Sequence, residues 1–327
     1  MYLNHFHFTE MPFSIAPNPR YLYMSSRHRE ALAHLLYGIE SAGGIVVLTG
    51  EVGTGKTTLC RCLLEQMPNR SDAALIINPK MTAHELLATI CDELTIRYDR
   101  RKKSIKLLID AINNHLLTAH ADGRHTVVIV DEAQQLSADL LEQLRLLTNL
   151  ETNDKKLLQI VLLGQPELNT LLAQEHMRQL AQRITARYHL RPLSYQDTIA
   201  YVRHRLSVVG GSPTLLTGFA LRHLHRASGG VPRMINIVVD RALLGAYAEG
   251  ASRVGWRHVR RALVEVQGSE QITPPRQVVA TSTTIARLPW LLTAMLGILL
   301  VWIVVSTPEV TTGWRLWLIT LLSPDGA

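Results

Sequence analysis

The sequence Ile45-Val46-Val47-Leu48-Thr49-Gly50-Glu51-Val52-Gly53-Thr54-Gly55-Lys56-Thr57-Thr58 decides the fold of this chain. Its first four residues are apolar and predict a buried parallel strand, and residues 50–57 (GEVGTGKT) match the phosphate-binding pattern G-x-x-x-x-G-K-[ST]. Glycines let backbone N–H groups close around phosphate oxygens, and the following helix directs its positive N-terminus at them. The predicted nucleotide-binding residues are Gly50, Glu51, Val52, Gly53, Thr54, Gly55, Lys56, Thr57 and Thr58.

Two side chains in this loop have predicted roles. Lys56 can reach the β- and γ-phosphates of a bound nucleotide, and the hydroxyl of Thr57 can bind Mg²⁺. The alternative is a glycine-rich turn that matches the pattern by chance. The flanking elements argue against it, because residues 58–67 have the apolar spacing of a helix and Pro68 ends that helix. The predicted cofactors are therefore ATP and Mg²⁺.

The second motif is an apolar strand that ends in two acids, TVVIVDE at residues 126–132. Asp131 would hold Mg²⁺ through water, and Glu132 would orient or deprotonate the water that attacks the γ-phosphate. Such a run is common by itself, but here it follows a phosphate loop and two βα units. The acid pair favours ATP hydrolysis over phosphoryl transfer to a small metabolite, so we expect an ATPase.

Four further polar residues are candidates for the catalytic site. Gln165 leaves the end of a predicted fourth strand and is a candidate sensor of the attacking water or the γ-phosphate; the alternative is an amide that caps a turn. Arg183 and Arg187 are expected on one face of a helix just before a fifth short strand. They could form an arginine finger for a neighbouring subunit or pair with surface acids. Arg233 lies in the first turn of a helix opened by proline, which could direct it at the nucleotide.

The order of predicted elements resembles the layout of AAA+ ATPases. It predicts an α/β fold, in which a P-loop core with a parallel five-stranded sheet and helices on both faces is followed by a small all-α lid. The predicted division is an N-terminal strap and helix (1–40), the nucleotide-binding core (41–191), the lid (192–268), a linker (269–287), a single transmembrane helix (288–306) and a short periplasmic tail (307–327).

The first 24 residues are rich in aromatic residues and proline, which excludes a single helix. We expect an extended strap that packs on the nucleotide domain. The strap leads, through a helix, into the first strand, so its residues 21–24 are expected near the adenine base, with plain core packing as the alternative.

Composition limits the class of protein further. The chain has 327 residues, three cysteines and a net charge of +7. An odd number of cysteines, two of them in the helix after the phosphate loop, argues against a disulfide framework and favours a reducing compartment. The positive charge suggests an anionic neighbour such as membrane lipid or nucleic acid, although it is mild for this length.

The sequence LPWLLTAMLGILLVWIVV, residues 288–305, contains no charged residue. As a helix it would be about 27 Å long, enough to cross a hydrocarbon core, and a buried core helix is the alternative. Arg276 and Arg287 precede it and only Arg315 follows it. By the positive-inside rule, residues 1–287 are expected in the cytoplasm, and the last 22 residues on the other side of the membrane.

Several segments together resemble the general secretion pathway protein A family (ExeA type) and its pilus-biogenesis relatives of the MSHA M type. The resemblance covers about residues 1–268 and rests on PFSIAPNPRYLYMS, HREALAHLLYGI, GEVGTGKTTLCR, VVIVDEAQ, LQIVLLGQPEL, LAQRITARYHLRPL and SGGVPRMINIVVDRAL. It implies a membrane-anchored AAA+ ATPase of Gram-negative bacteria. Such a protein acts with a B-type partner on the outer-membrane secretin of type II secretion, or in a related pilus system.

The resemblance also implies roles for single residues and an oligomeric state. Gln165 would be the first sensor, Arg183 or Arg187 the finger in a homo-oligomeric ring, and Arg233 the second sensor. Longer members carry a periplasmic peptidoglycan-binding domain after the span, and here only about 22 residues follow it, so direct peptidoglycan binding is not expected.

Two other classes of function compete with this one. A DNA-associated AAA+ regulator of the transposition target-selection type would share the same core, and the chain is basic. The apolar run at residues 288–305 argues against it, since a soluble regulator needs no such segment, and DNA is therefore not an expected partner. A P-loop small-molecule kinase is disfavoured by the helical lid and the two arginines before the last strand.

Overall fold

The computed structural model describes residues 2–16, 18–40, 44–68, 70–152 and 156–270. The predicted membrane span (288–306) and tail (307–327), with all but the first two residues of the predicted linker (269–287), lie outside the described residues. Among the residues that are described, no helix is long and apolar enough to cross a bilayer.

Five strands of the described chain form one sheet, in which every neighbouring pair is parallel. The strands are β1 (Gly44–Gly50), β2 (Ser71–Ile76), β3 (His125–Val130), β4 (Leu158–Gly164) and β5 (Ile184–Leu190), in the order β2-β3-β4-β1-β5. This order places β1 between β4 and β5. The loops that follow β1, β3 and β4 therefore meet at one edge of the sheet.

Helices connect the strands and form most of the remaining regular structure of the described chain. They are α1 (Tyr2–Phe6), α2 (Ser26–Glu40), α3 (Lys56–Gln66), α4 (Ala83–Glu93), α5 (Ile105–Ala121), α6 (Ala138–Leu147), α7 (Glu167–Leu172), α8 (Arg178–Ala181), α9 (Tyr195–Val208), α10 (Gly218–Ser228), α11 (Pro232–Ala248) and α12 (Trp256–Glu270). Capping residues in the sequence set where several of these helices begin. Thr82 and Glu85 form a capping box before α4, and Ser194 and Asp197 form another before α9.

Alternate residues of β1 pack into two different cores. Ile45 and Val47 lie in a cluster with α4, α5 and α6, whereas Val46 and Leu48 lie in a cluster with α2 and α3. All seven residues of β1 are buried, as expected for a parallel strand with helices over both faces. The predicted α/β core is confirmed.

A third core belongs to the lid, which consists of α9, α10, α11 and α12. Five aromatic residues from the first 21 positions are buried in this core: Tyr2, Phe6, Phe8, Phe13 and Tyr21. The prediction that the strap packs on the nucleotide domain is therefore wrong for these side chains. The physical reason is that the lid contributes mainly aliphatic side chains and one buried aromatic residue, Tyr201, to this core, and the large aromatic rings of the strap bury their surface among them.

The prediction that Arg183 and Arg187 share one helix face is also wrong. The preceding helix, α8, ends at Ala181, and Arg187 lies within β5, where it is opposite Val47 of β1. Along β5 the more exposed residues alternate with less exposed ones, the pattern of an edge strand rather than a helix. The fifth strand therefore begins earlier than predicted.

Candidate functional site

The phosphate loop joins β1 to α3 and is held in the shape of an anion cradle. Gly53 and Gly55 have φ angles of 80° and 102°, which favour glycine. The side chain of Lys56 is 6% exposed, and its Nζ donates to the carbonyl oxygens of Gly50 (2.7 Å) and Glu51 (3.0 Å). Burial lowers the pKa of Lys56, while the nearby carboxylates of the site act to raise it. The ammonium therefore lies beside the loop where phosphate would bind.

A hydroxyl and a carboxylate meet beside this loop. Oγ1 of Thr57 donates to Oδ2 of Asp131 at 2.7 Å, and Asp131 is buried at the end of β3. Hard oxygen donors of this kind fit Mg²⁺, which commonly binds one or two protein ligands together with phosphate oxygens and water. No group of three or more His, Cys, Asp or Glu suited to a metal occurs among the described residues. The pair thus fits a metal shared with a nucleotide.

Glu132 is the next residue, and two amides hold its carboxylate. Its Oε2 accepts from Nε2 of Gln134 (2.6 Å) and from Nε2 of Gln165 (3.3 Å), and the backbone N–H of Gln165 donates to Oε1 of Gln134 (2.9 Å). Glu132 also has a φ angle of 54°, a costly conformation for this residue type and one found most often at functional sites. Gln165 thus reaches the predicted catalytic acid. Gln134 was missed, although it lies in the same sequence motif.

Arg233 lies against the phosphate loop at the start of α11. Its backbone N–H donates to the carbonyl oxygen of Gly53 at 3.2 Å. A Cβ added at Gly53 would lie 2.5 Å from the Cβ of Arg233, so the lid contacts the loop closely at this point. The structure thus places Arg233 at the edge of the site, and its role as second sensor stays a prediction.

Arg183 and Arg187 are not brought into this chain's own site. Arg183 lies at the amino end of β1, where its carbonyl oxygen accepts from the N–H of Ile45, while the phosphate loop follows the carboxyl end of that strand. Its Nη1 donates to Oγ1 of Thr148 at 2.8 Å. The side chain of Arg187 is exposed on the edge strand. A finger role for either arginine stays a prediction and would need a neighbouring subunit.

A cavity of about 240 Å³ lies between the phosphate loop, the strap and the lid. Tyr21, Leu22 and Tyr23 line it together with the loop residues and the start of α11, whereas Met24 is not among the lining residues. Contact of residues 21–24 with a base stays a prediction. Apart from Arg233, the lid residues that line this cavity were not predicted from the sequence. Among them is Arg205, which is 4% exposed.

Arg205 connects the lid to the strap across this cavity. Its guanidinium lies 4.7 Å from the ring centroid of Tyr21, and it donates to Oη of Tyr201 (2.8 Å) and to the carbonyl oxygen of Ser14 (3.1 Å). Oη of Tyr201 in turn donates to Oδ1 of Asn236 at 2.7 Å. These contacts fix the wall of the cavity that lies beyond the phosphate loop. No sequence motif indicates these contacts, because they join three separate segments, which are the strap, α9 and α11.

The phosphate loop, the two acids at the tip of β3 and the polar residue at the end of β4 define an ATPase fold of the AAA class. Residues 39–172 match the family model described as AAA domain. Among solved structures, the fold is similar to Cdc6p from Pyrobaculum aerophilum (TM-score 0.60, 19% identity, covering 81% of this chain and 74% of that chain). It is also similar to the Aeropyrum pernix ORC2 protein (TM-score 0.59, 18% identity, 79% and 72%). At such identities the likeness shows the fold alone.

The match to a curated protein is far closer in sequence. The chain is 58% identical over 268 residues to general secretion pathway protein A of Aeromonas hydrophila. The aligned residues cover 82% of this chain and 49% of that protein. The chain therefore belongs to the general secretion pathway protein A family, as the sequence motifs predicted. It spans about half the length of that relative.

Proposed function

We propose that this chain is an ATPase, anchored in the bacterial inner membrane, that uses ATP with Mg²⁺ to support type II secretion. The observation that carries the proposal is the convergence of Lys56, Thr57, Asp131 and Glu132 at one edge of the sheet. Membrane anchoring rests on the uncharged sequence of residues 288–305. The link to secretion rests on the likeness to general secretion pathway protein A.

Each residue of the site has a separate role in the proposed hydrolysis of ATP. Lys56 would exchange its two carbonyl partners for phosphate oxygens, and Thr57 with Asp131 would hold the metal, which neutralises charge on the phosphates when bound. Glu132 would orient and deprotonate the attacking water. Gln165, which contacts Glu132, would adjust the position of that carboxylate. Release of Glu132 from its two amides is then part of activation.

Partners are proposed from the family. A homo-oligomeric ring would bring Arg183 or Arg187 of one subunit to the nucleotide of the next, since neither reaches its own site. A B-type partner protein would connect the ATPase to the outer-membrane secretin. Pilus biogenesis of the MSHA type is an alternative use of the same ATPase. Direct peptidoglycan binding is not part of the proposal for this chain.

The first test compares two lysine variants of the full chain in detergent. Lys56→Ala should lose binding of a fluorescent ATP analogue by at least 100-fold, because the buried ammonium is the cation beside the phosphate loop. Lys106→Ala removes the same charge from the exposed face of α5 and should bind like the wild type. Equal affinities for the three proteins would remove the loop from nucleotide binding.

A second candidate is a DNA-associated regulator of the AAA+ class. It is favoured by exposed arginines of the lid, among them Arg222 and Arg226 on α10 and Arg257 and Arg260 on α12. Binding of duplex DNA that weakens steeply with salt would support it. Recovery of the full chain in the inner membrane of a host, together with no salt-sensitive DNA binding, would favour the secretion ATPase.

A further inference from the structure

A buried histidine contacts the phosphate loop from the first turn of α2. His28 is 4% exposed, and its Nε2 lies 3.2 Å from the carbonyl oxygen of Thr54. Its Nδ1 lies 2.7 Å from Oγ of Ser25, which is itself buried. The functional roles described above use neither side chain.

The two contacts define the state of the ring. The carbonyl of Thr54 can only accept a hydrogen bond, so Nε2 carries the hydrogen and donates it. Burial lowers the pKa of His28, which favours the neutral ring, and Nδ1 then accepts from the hydroxyl of Ser25. Oγ of Ser25 also accepts from the backbone N–H of His28 at 3.3 Å. Hydrogen bonds therefore run in one direction, from Ser25 through the imidazole to the phosphate loop.

The contact with Thr54 fixes a peptide group of the loop. No cis peptide bond occurs among the described residues, and in a trans peptide the C=O and the following N–H point in opposite directions. The carbonyl of Thr54 points to His28, so the N–H of Gly55 points away from α2. Gly55 lies in the predicted cradle, and a Cβ at this position would lie 3.2 Å from Nε2 of His28. The ring thus packs directly on the loop.

We propose that His28 is a positioning residue of the nucleotide site, which holds the Thr54–Gly55 peptide so that the N–H of Gly55 is presented to a nucleotide phosphate. This inference rests on the proposed binding of ATP. It adds a side chain from α2 to a cradle that the motif builds from residues 50–58 alone. Ser25 acts through His28 by fixing which ring nitrogen carries the hydrogen.

The same residues connect the phosphate loop to the strap. The backbone N–H of Ser25 donates to the carbonyl oxygen of Tyr23 at 3.1 Å, and Tyr23 lines the cavity on the side predicted for the base. Movement of the strap would therefore reach the phosphate loop through Ser25 and His28. This path is short, because it contains one backbone hydrogen bond and one imidazole.

The test uses the full chain in detergent and three ligands: a fluorescent ATP analogue, ADP and adenosine. His28→Met keeps an apolar side chain of similar size but has no donor, and we expect affinity for ATP and ADP to fall about tenfold. Affinity for adenosine should change less than twofold, since adenosine has no phosphate. His28→Gln, whose amide can donate to the carbonyl of Thr54, should restore ATP affinity to within about threefold. His34→Met is the control, an exposed residue of the same helix.

The outcomes separate this inference from the proposed function. Failure of the wild type to bind the ATP analogue would overturn ATP binding itself. Wild-type binding with equal ATP affinity in His28→Met, or parallel losses for ATP and adenosine, would overturn the positioning role alone. If His28→Met fails to fold, Ser25→Ala decides. We expect a two- to fivefold loss of ATP affinity with unchanged adenosine affinity. The melting temperature should fall by about 2–4 °C, because the hydroxyl of Ser25 also caps the first turn of α2. Unchanged ATP affinity would contradict the inference.

Discussion

Lys56 donates hydrogen bonds to two carbonyl oxygens of its own loop, and this arrangement explains how a buried ammonium is tolerated before a nucleotide arrives. Phosphate oxygens would offer the same side chain stronger, charged acceptors. Burial lowers the pKa of Lys56, because it disfavours the charged ammonium. A nearby negative charge raises the pKa again, so a bound anion would stabilise the charged form. The loop is therefore prepared for an anion rather than for a neutral ligand.

The metal site gives a prediction at the scale of one hydroxyl. Thr57→Val keeps the shape of the side chain but removes the oxygen that donates to Asp131, so Mg²⁺ would lose a protein ligand. We expect about tenfold more Mg²⁺ for half-maximal phosphate release at saturating ATP. Thr118→Val makes the same change on the exposed face of α5 and should leave the Mg²⁺ requirement unaltered. An unaltered requirement in Thr57→Val would remove that hydroxyl from the metal site.

The sequence predicts those functional residues that belong to a short motif with a fixed spacing. The phosphate loop and the Asp131-Glu132 pair follow from motifs, and the structure brings them together beside Gln165. Gln134 and His28 have no such signal, because their importance comes from contacts with Glu132 and Thr54 that only the folded chain creates. Residues of this second kind can be identified only from the folded structure.

At the scale of elements, helix and strand patterns predict the structure closely. The helix predicted from the apolar spacing of residues 58–67 is α3 (Lys56–Gln66), and the helix predicted to open at a proline is α11, which begins at Pro232. The spacing of Arg183 and Arg187, one helical turn apart, predicts that both lie on one helix face. Pairing with β1, a long-range interaction, makes residues 184–190 a strand.

The contact between the phosphate loop and α11 gives a prediction at this scale. Gly53→Ala places a methyl group 2.5 Å from the Cβ of Arg233, at a φ angle of 80°. We expect the lid to shift away from the loop, with a loss of about 1–3 kcal/mol in stability and weaker ATP binding.

The control for this change lies in the same lid helix. A Cβ at Gly245 meets nothing within 4 Å, and the residue is inside α11. Gly245→Ala should therefore leave stability unchanged or raise it by up to about 1 kcal/mol. Thermal unfolding with and without ATP measures both variants. Equal melting temperatures for Gly53→Ala and the wild type would mean that the lid does not press on the loop.

At the scale of the whole molecule, the order of the strands and the partner of the strap could not be predicted. Both depend on contacts between distant parts of the chain, for which the sequence has no short-range pattern. Their consequence is functional, since the strap joins the lid core, reaches the cavity at residues 21–23 and is connected to the phosphate loop through His28. A nucleotide in the cavity would thus contact core, strap and lid together.

Hydrolysis of ATP at this site depends on Glu132, the proposed catalytic base. Phosphate release and ATP binding should be measured on the wild type and on Glu132→Gln, which keeps the size of the side chain but cannot take a proton from water. We expect both proteins to bind ATP with affinities within about threefold, while phosphate release by the variant falls at least 100-fold. Wild-type turnover in Glu132→Gln would contradict the assignment of the catalytic base and the ATPase mechanism built on it.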